Sequence, residues 1–181
     1  MWDTDPATLT ALGTWVLVIG TLLLMYWQTR QARELNSATS IMALRERFDS
    51  PQIRRARRDL ATRLLHQQHE EITNIEVGAF FELVGTLTRR KVLEDDLIWE
   101  AFGNWVTAYY WALRHPVDII GRGRATFHDP LIFHEFEWLE GRILAIDRRR
   151  QGRRDDPDAA ERTEESQRLL SREAALDNDG E

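Results

Sequence analysis

Residues 129–147 read DPLIFHEFEWLEGRILAID, and the spacing of their apolar side chains decides the fold class. Ile132, Phe136, Leu139, Ile143 and Ile146 recur at intervals of three and four, the repeat of one face of an α-helix. Asp129 and Pro130 stand where a capping residue and a first-turn proline belong. A helix is predicted from there through Ile146.

The same period recurs upstream. Ile98, Phe102, Trp105, Tyr109 and Ala112 follow Glu94, Asp95 and Asp96, acidic residues that suit the positive N-terminal end of a helix, and His115-Pro116 ends the run. Phe80, Leu83, Val84 and Leu87 share a face after Thr73-Asn74-Ile75-Glu76, an S/T-x-x-E capping box, with the helix ending near Arg90. Ser50-Pro51 opens another helix, whose stripe is Ile53, Ala56, Leu60 and Leu64 and whose opposite side carries Arg54, Arg55 and Arg58. Gly121 to Arg124, GRGR, reads as a loop. No strand-like alternation competes, so the expected fold class is all-α, with a small helical bundle over residues 50–147.

Upstream of the bundle, residues 31–48 contain neither Gly nor Pro and place Leu35, Ala38, Met42 and Phe48 near helical spacing. Residues 30–49 therefore read as a helical stalk. Residues 1–29 have a different character: from Pro6 to Thr29 no side chain is charged. The apolar part, residues 7–27, would reach about 31 Å as a helix, matching a hydrocarbon core of roughly 30 Å. Trp2 on one side and Tyr26 with Trp27 on the other sit where amphipathic rings favour the headgroup layer. A buried core helix would show polar residues on one face, and a cleavable signal peptide would begin with Lys or Arg. Neither pattern is present, and the segment reads as a retained transmembrane helix contacting the lipid bilayer through residues 7–27. Arg30, Arg33, Arg45 and Arg47 follow it with no Lys or Arg before it, which predicts an outside N-terminus and a cytoplasmic bundle.

Charge is segregated along the 181 residues. The net charge of -6 resides in Asp3 and Asp5 and in residues 151–181, whereas residues 30–150 hold 19 Arg or Lys against 18 Asp or Glu. That balance gives no bias toward nucleic acid, and none is expected as a partner. Cysteine is absent, which excludes disulfides, thiolate catalysis and Cys-based zinc sites. Residues 148–181 carry few large apolar side chains, Leu169, Leu170 and Leu176, and read as a disordered charged tail with a transient helix around residues 159–176.

FFELVGTLTRRKVLEDD and FGNWVTAYYWALRHPVDIIGRGR, together about Phe80 to Arg124, resemble the bacterial family called domain of unknown function 4760. The resemblance implies a single N-terminal membrane helix and a compact all-helical cytoplasmic domain at the bacterial inner membrane. It brings no activity, cofactor or site residues with it.

Candidate chemistry is sparse. His66 and His69 lie three apart, a spacing that can chelate a metal, and His128, His134 and Glu135 are the further candidate ligands. The favoured reading is solvated residues at helix ends, and no cofactor is expected. Glu82, amid Phe80, Phe81, Leu83 and Val84, is expected to form a structural ion pair with Arg57 or Arg63. Arg122 and Arg124, with Arg54, Arg55 and Arg58, are candidates for anion or lipid contact. Trp99, Trp105, Tyr109, Tyr110 and Trp111 exceed what one core stripe uses, so Trp99, Tyr110 and Trp111 are candidate partner contacts. The expected function is a membrane-tethered helical interaction module that binds a protein partner or itself. The alternative is a membrane-associated metal-dependent enzyme or effector built on the His and Glu residues.

Overall fold

The computed structural model describes residues 21–28, 37–68, 76–152 and 157–175. Among them the secondary structure is entirely helical. Helix α1 is described over residues 37–48; α2 spans Pro51–Leu65, α3 Glu76–Arg89, α4 Asp95–Arg114, α5 Ile119–Phe127, α6 His134–Gln151 and α7 Ala159–Ala174. The transmembrane expectation for residues 7–27 lies largely outside the described residues. Residues 21–28 are helical, and Leu22 to Trp27 are exposed. Among the described residues no helix is long and apolar enough to cross a membrane.

Local chemistry sets most helix ends. The Ser50 hydroxyl accepts from the Ile53 amide with Pro51 in the first turn of α2, Asp118 accepts from the Gly121 amide to start α5, and Asp158 accepts from the Glu161 amide to start α7. Helix α4 opens on Asp95 and Asp96 and closes at His115-Pro116, as expected. The capping box at Thr73 to Glu76 begins outside the described residues, with α3 described from Glu76. Two boundaries differ from expectation. Gly121 to Arg124 are helical rather than a loop, because Asp118 caps them. Helix α6 starts at His134, since Asp129 turns its carboxylate onto the Leu131 amide and residues 130–133 form turns.

Helix α4 is central. Helix α6 packs along α3 and α4, and α7 packs along α2 and α4. Aromatic rings fill the middle: Phe48, Phe80, Phe81, Phe102, Tyr109 and Phe136 are all at most 2% exposed, and Phe81 stacks on Phe136 with centroids 5.1 Å apart. Helices α3 and α6 come close because residue 85 is glycine; a Cβ there would lie 2.3 Å from the Glu135 carbonyl oxygen.

Two parts of the expected domain plan are corrected. The stalk is part of the bundle over residues 37–48: Leu44 and Phe48 are in the core, and the Ser37 hydroxyl accepts from the Glu94 amide at 3.0 Å. Its buried face is Ser37, Leu44 and Phe48, whereas Met42, expected on that face, is 72% exposed. The tail is not disordered over residues 159–174. These form α7, which seats Leu170 in the core and buries Ser166 and Glu173. Of its few apolar side chains, Leu169, Leu170 and Ala174 pack against the core, and polar contacts to α2 and α4 add to them.

Candidate functional site

The densest polar constellation lies under α7. Arg57 sits beside the buried stripe of α2, its guanidinium over the Phe48 ring at 4.0 Å and its Nη1 donating to the Phe48 carbonyl at 3.1 Å. The remaining donors face α7. Arg57 Nε donates to Glu173 Oε2 at 2.6 Å and Nη2 to Oε1 at 2.8 Å, a bidentate link between planar groups. From α4, Trp105 Nε1 donates to Oε1 at 3.0 Å and the Tyr109 hydroxyl to Oε2 at 3.3 Å. One carboxylate therefore receives four hydrogen bonds from two helices. Asp49, at 3.6 Å from Arg57 Nη1, adds a second, more exposed negative charge.

The electrostatics follow from this geometry. Burial alone would lower the pKa of Arg57, but the hydrogen bonds and charge of Glu173 outweigh it and leave the guanidinium raised. Burial pushes the Tyr109 phenol well above its usual range, and the charge of Glu173 adds to the shift. The site sets the Glu173 carboxylate directly on the Arg57 guanidinium, with the Tyr109 phenol beside the carboxylate.

Flanking contacts extend the site along α7. The Ser166 hydroxyl donates to the Ala108 carbonyl at 2.9 Å, Trp111 Nε1 donates to the Thr163 hydroxyl at 3.1 Å, and Arg162 lies over Trp111 while pairing with Glu140. The buried residues of α7, Ser166, Leu170 and Glu173, are spaced four and three apart. That is the reading frame of a helix laid into a groove. Between α7 and α6 a cleft of about 330 Å³ remains, lined by Asn104, Thr107, Asp147, Arg168 and Arg172 among others.

The candidates from the sequence fall elsewhere. Tyr110 is 8% exposed and meets Phe136 edge to face; Trp99 is covered by the Arg150 guanidinium at 4.2 Å; Trp111 is taken by Thr163, Arg162 and His115. Tyr110 is thus buried rather than exposed, while Trp99 and Trp111 are half-buried and engaged by α6 and α7 within the chain. Arg124 donates to the Ile132 carbonyl and to Glu137, both at 2.8 Å, and so braces the entry of α6. Arg122 is on the same helix, while Arg54, Arg55 and Arg58 lie on α2, where Arg54 donates to the Asp49 carbonyl at 3.0 Å.

His66 caps α2 with Nδ1 2.8 Å from the Thr62 carbonyl, His128 caps α5 in the left-handed conformation, His134 opens α6, and Glu135 pairs with Arg89 at 2.7 Å. His69 lies outside the described residues. Among the described residues no group of three or more His, Asp or Glu side chains could hold a metal ion. Glu82 pairs with neither Arg57 nor Arg63 as expected. Its carboxylate accepts from the Glu135 and Phe136 amides at 3.2 and 2.8 Å, capping α6 from α3.

Glu173 was missed by the sequence reading. Asp158-Ala159-Ala160-Glu161, a capping pattern ahead of Leu169 and Leu170, is the signal that makes the helix expected around residues 159–176 a stable one.

A family model described as a domain of unknown function, DUF4760, matches residues 7–143. No curated protein and no solved structure matches the chain. The match covers α1 to α5 and most of α6 and stops before α7.

Proposed function

Because the chain belongs to the DUF4760 family, whose description assigns no activity, we propose its function from its own geometry: a membrane-tethered helical interaction module. Its docking surface is the groove between α2 and α4. One observation carries this reading: Arg57, Trp105 and Tyr109 aim four hydrogen bonds at a single carboxylate presented by a helix. A groove with such donors recognises an amphipathic helix bearing an acidic residue, and α7 is its occupant in the closed chain.

The tether reading is supported by the uncharged stretch from Pro6 to Thr29 and by the exposed apolar residues Leu22 to Trp27. With Arg30, Arg33, Arg45 and Arg47 behind it, the domain is assigned to the cytoplasmic side of a bacterial inner membrane. In a membrane fraction the full chain resists alkaline carbonate extraction; release into the supernatant would overturn the tether. A cysteine at Thr4 reacts with an impermeant maleimide in cells with an opened outer envelope, and one at Asn178 reacts only after the inner membrane is permeabilised. The opposite labelling would invert the orientation.

For the groove, a labelled peptide of residues 157–175 binds the full chain carrying Glu173→Ala, whose own α7 has lost its anchor. It does not bind the chain carrying both Glu173→Ala and Arg57→Met. Equal binding to both, or none to either, would overturn the groove as a helix site.

A further inference from the structure

We propose that the cleft between α6 and α7 binds a small zwitterion, a free amino acid with a polar side chain. The cleft shares none of Arg57, Trp105 and Tyr109 with the groove that holds Glu173, so the two sites stand or fall separately.

Three helices build the cleft. Helices α6 and α7 both pack along α4, and the Arg162–Glu140 pair bridges them. The floor is α4, where Gly103, Asn104 and Thr107 are reached between the two walls. About 330 Å³ stays open, a volume within the range of small-molecule sites. Packing does not demand the glycine at position 103, because a Cβ there would meet Ile143 and Trp99 at 3.5 Å, an ordinary contact. Glycine weakens a helix interior, and its effect here is a deeper floor.

Charge sets the class of ligand. Most charged groups on the walls are already used: Arg162 pairs with Glu140, Arg168 with Glu164, and Glu165 is engaged as well. Two remain. Arg172, on α7, has no hydrogen-bond or ion-pair partner among the described residues, and Asp147, on α6, holds only the Gln151 side-chain amide, at 2.8 Å. They line the same cleft from opposite walls without pairing with each other. A lone anion between them would be repelled by Asp147, and a lone cation by Arg172. A molecule with a carboxylate and an ammonium on one carbon satisfies both, the guanidinium donating to its carboxylate and the Asp147 carboxylate accepting from its ammonium.

The floor selects the side chain. The Asn104 side-chain amide has no partner among the described residues, and the Thr107 hydroxyl donates to the Gly103 carbonyl at 3.1 Å, which leaves its lone pairs able to accept. An amide side chain, donor and acceptor at once, matches both groups. Glutamine has that chemistry.

The test is isothermal titration calorimetry of the full chain in mild detergent with L-glutamine. Saturable binding at one site per chain is expected, weakened at least about tenfold by Arg172→Gln and by Asp147→Asn. Neither side chain ties helices together, so both variants keep the parent melting temperature without ligand. Propionate and ethylamine, each carrying one of the two charges, give no saturable heat at the same concentrations. No binding of L-glutamine to the parent chain up to about 20 mM would overturn the site. Either variant retaining the parent affinity would overturn the assignment of its charge. Propionate bound as tightly as L-glutamine would show a simple anion site and overturn the zwitterion. Tighter binding of glycerophosphoethanolamine than of L-glutamine would give the cleft to a lipid headgroup and overturn the free amino acid.

Discussion

Arg57 and Glu173, 116 residues apart in sequence, are joined by two parallel hydrogen bonds of 2.6 and 2.8 Å, with side chains only 5% and 7% exposed. Removing one member strands the other. Glu173→Ala should cost about 3 kcal/mol of stability by chemical denaturation, because the buried guanidinium keeps only the more exposed Asp49 as a counter-charge. The paired replacement Arg57→Met with Glu173→Leu should return most of that loss, since apolar groups of similar volume need no hydrogen bonds. A double variant as unstable as the single one would show that the pair's geometry, not its stranded charge, dominates.

Truncation after Gly152 should lower the melting temperature and shift tryptophan emission to the red. Trp105 and Trp111 lose Glu173 and Thr163 as hydrogen-bond partners and face water. This is the reverse of what a disordered tail predicts. An unchanged melting temperature would mean that α7 contributes nothing to the fold.

Two glycines in helices should respond to alanine with opposite signs. At Gly85 the added Cβ would lie 2.3 Å from the Glu135 carbonyl oxygen and must push α3 from α6, at a cost of about 1–3 kcal/mol. At Gly141 the Cβ meets nothing within 4 Å, and Gly141→Ala should stabilise α6 by up to about 1 kcal/mol through helix propensity. Equal effects at the two positions would contradict the α3–α6 packing.

Phe136, fully buried and stacked on Phe81, should lose about 3–5 kcal/mol as Phe136→Ala. Glu82→Ala should cost about 1–2 kcal/mol, because it removes the only cap that the first turn of α6 receives from α3 among the described residues. A loss near zero at Glu82 would show that solvent serves those amides equally well.

Alkaline pH should unfold the domain through its tyrosines. Burial raises both Tyr109 and Tyr110, with the charges of Glu173 and Glu137 respectively adding to it. An acid whose folded pKa is raised stabilises the fold below its unfolded pKa of about 10, and above that the unfolded chain sheds the proton more readily. Stability should therefore fall as pH rises beyond about 10. Absorbance at 295 nm should show these two phenols ionising together with the loss of helical circular dichroism. Ionisation with the helix signal intact would contradict their burial.

What could be read along the chain was whatever depends on a few neighbouring residues. The three-and-four repeat of Ile98, Phe102, Trp105 and Tyr109, the cap at Ser50-Pro51 and the stop at His115-Pro116 are local, and the helices they imply are present. Pairings across the fold were not legible. Glu82 serves the amides of residues 135 and 136, and Arg57 serves residue 173, because a partner is chosen by which helices pack together and at what level, and periodicity carries neither. The same reason explains the aromatics: Trp105 and Trp111 look surplus until α7 lies over them with a carboxylate and a hydroxyl in place. Composition judged residues 159–174 by apolar content, whereas much of their order comes from donors held 52 to 116 residues away. The sequence by itself determined an all-helical chain with an uncharged N-terminal segment; only the tertiary structure decided that its last helix closes a groove, since one buried carboxylate gains its worth from the groups that converge on it.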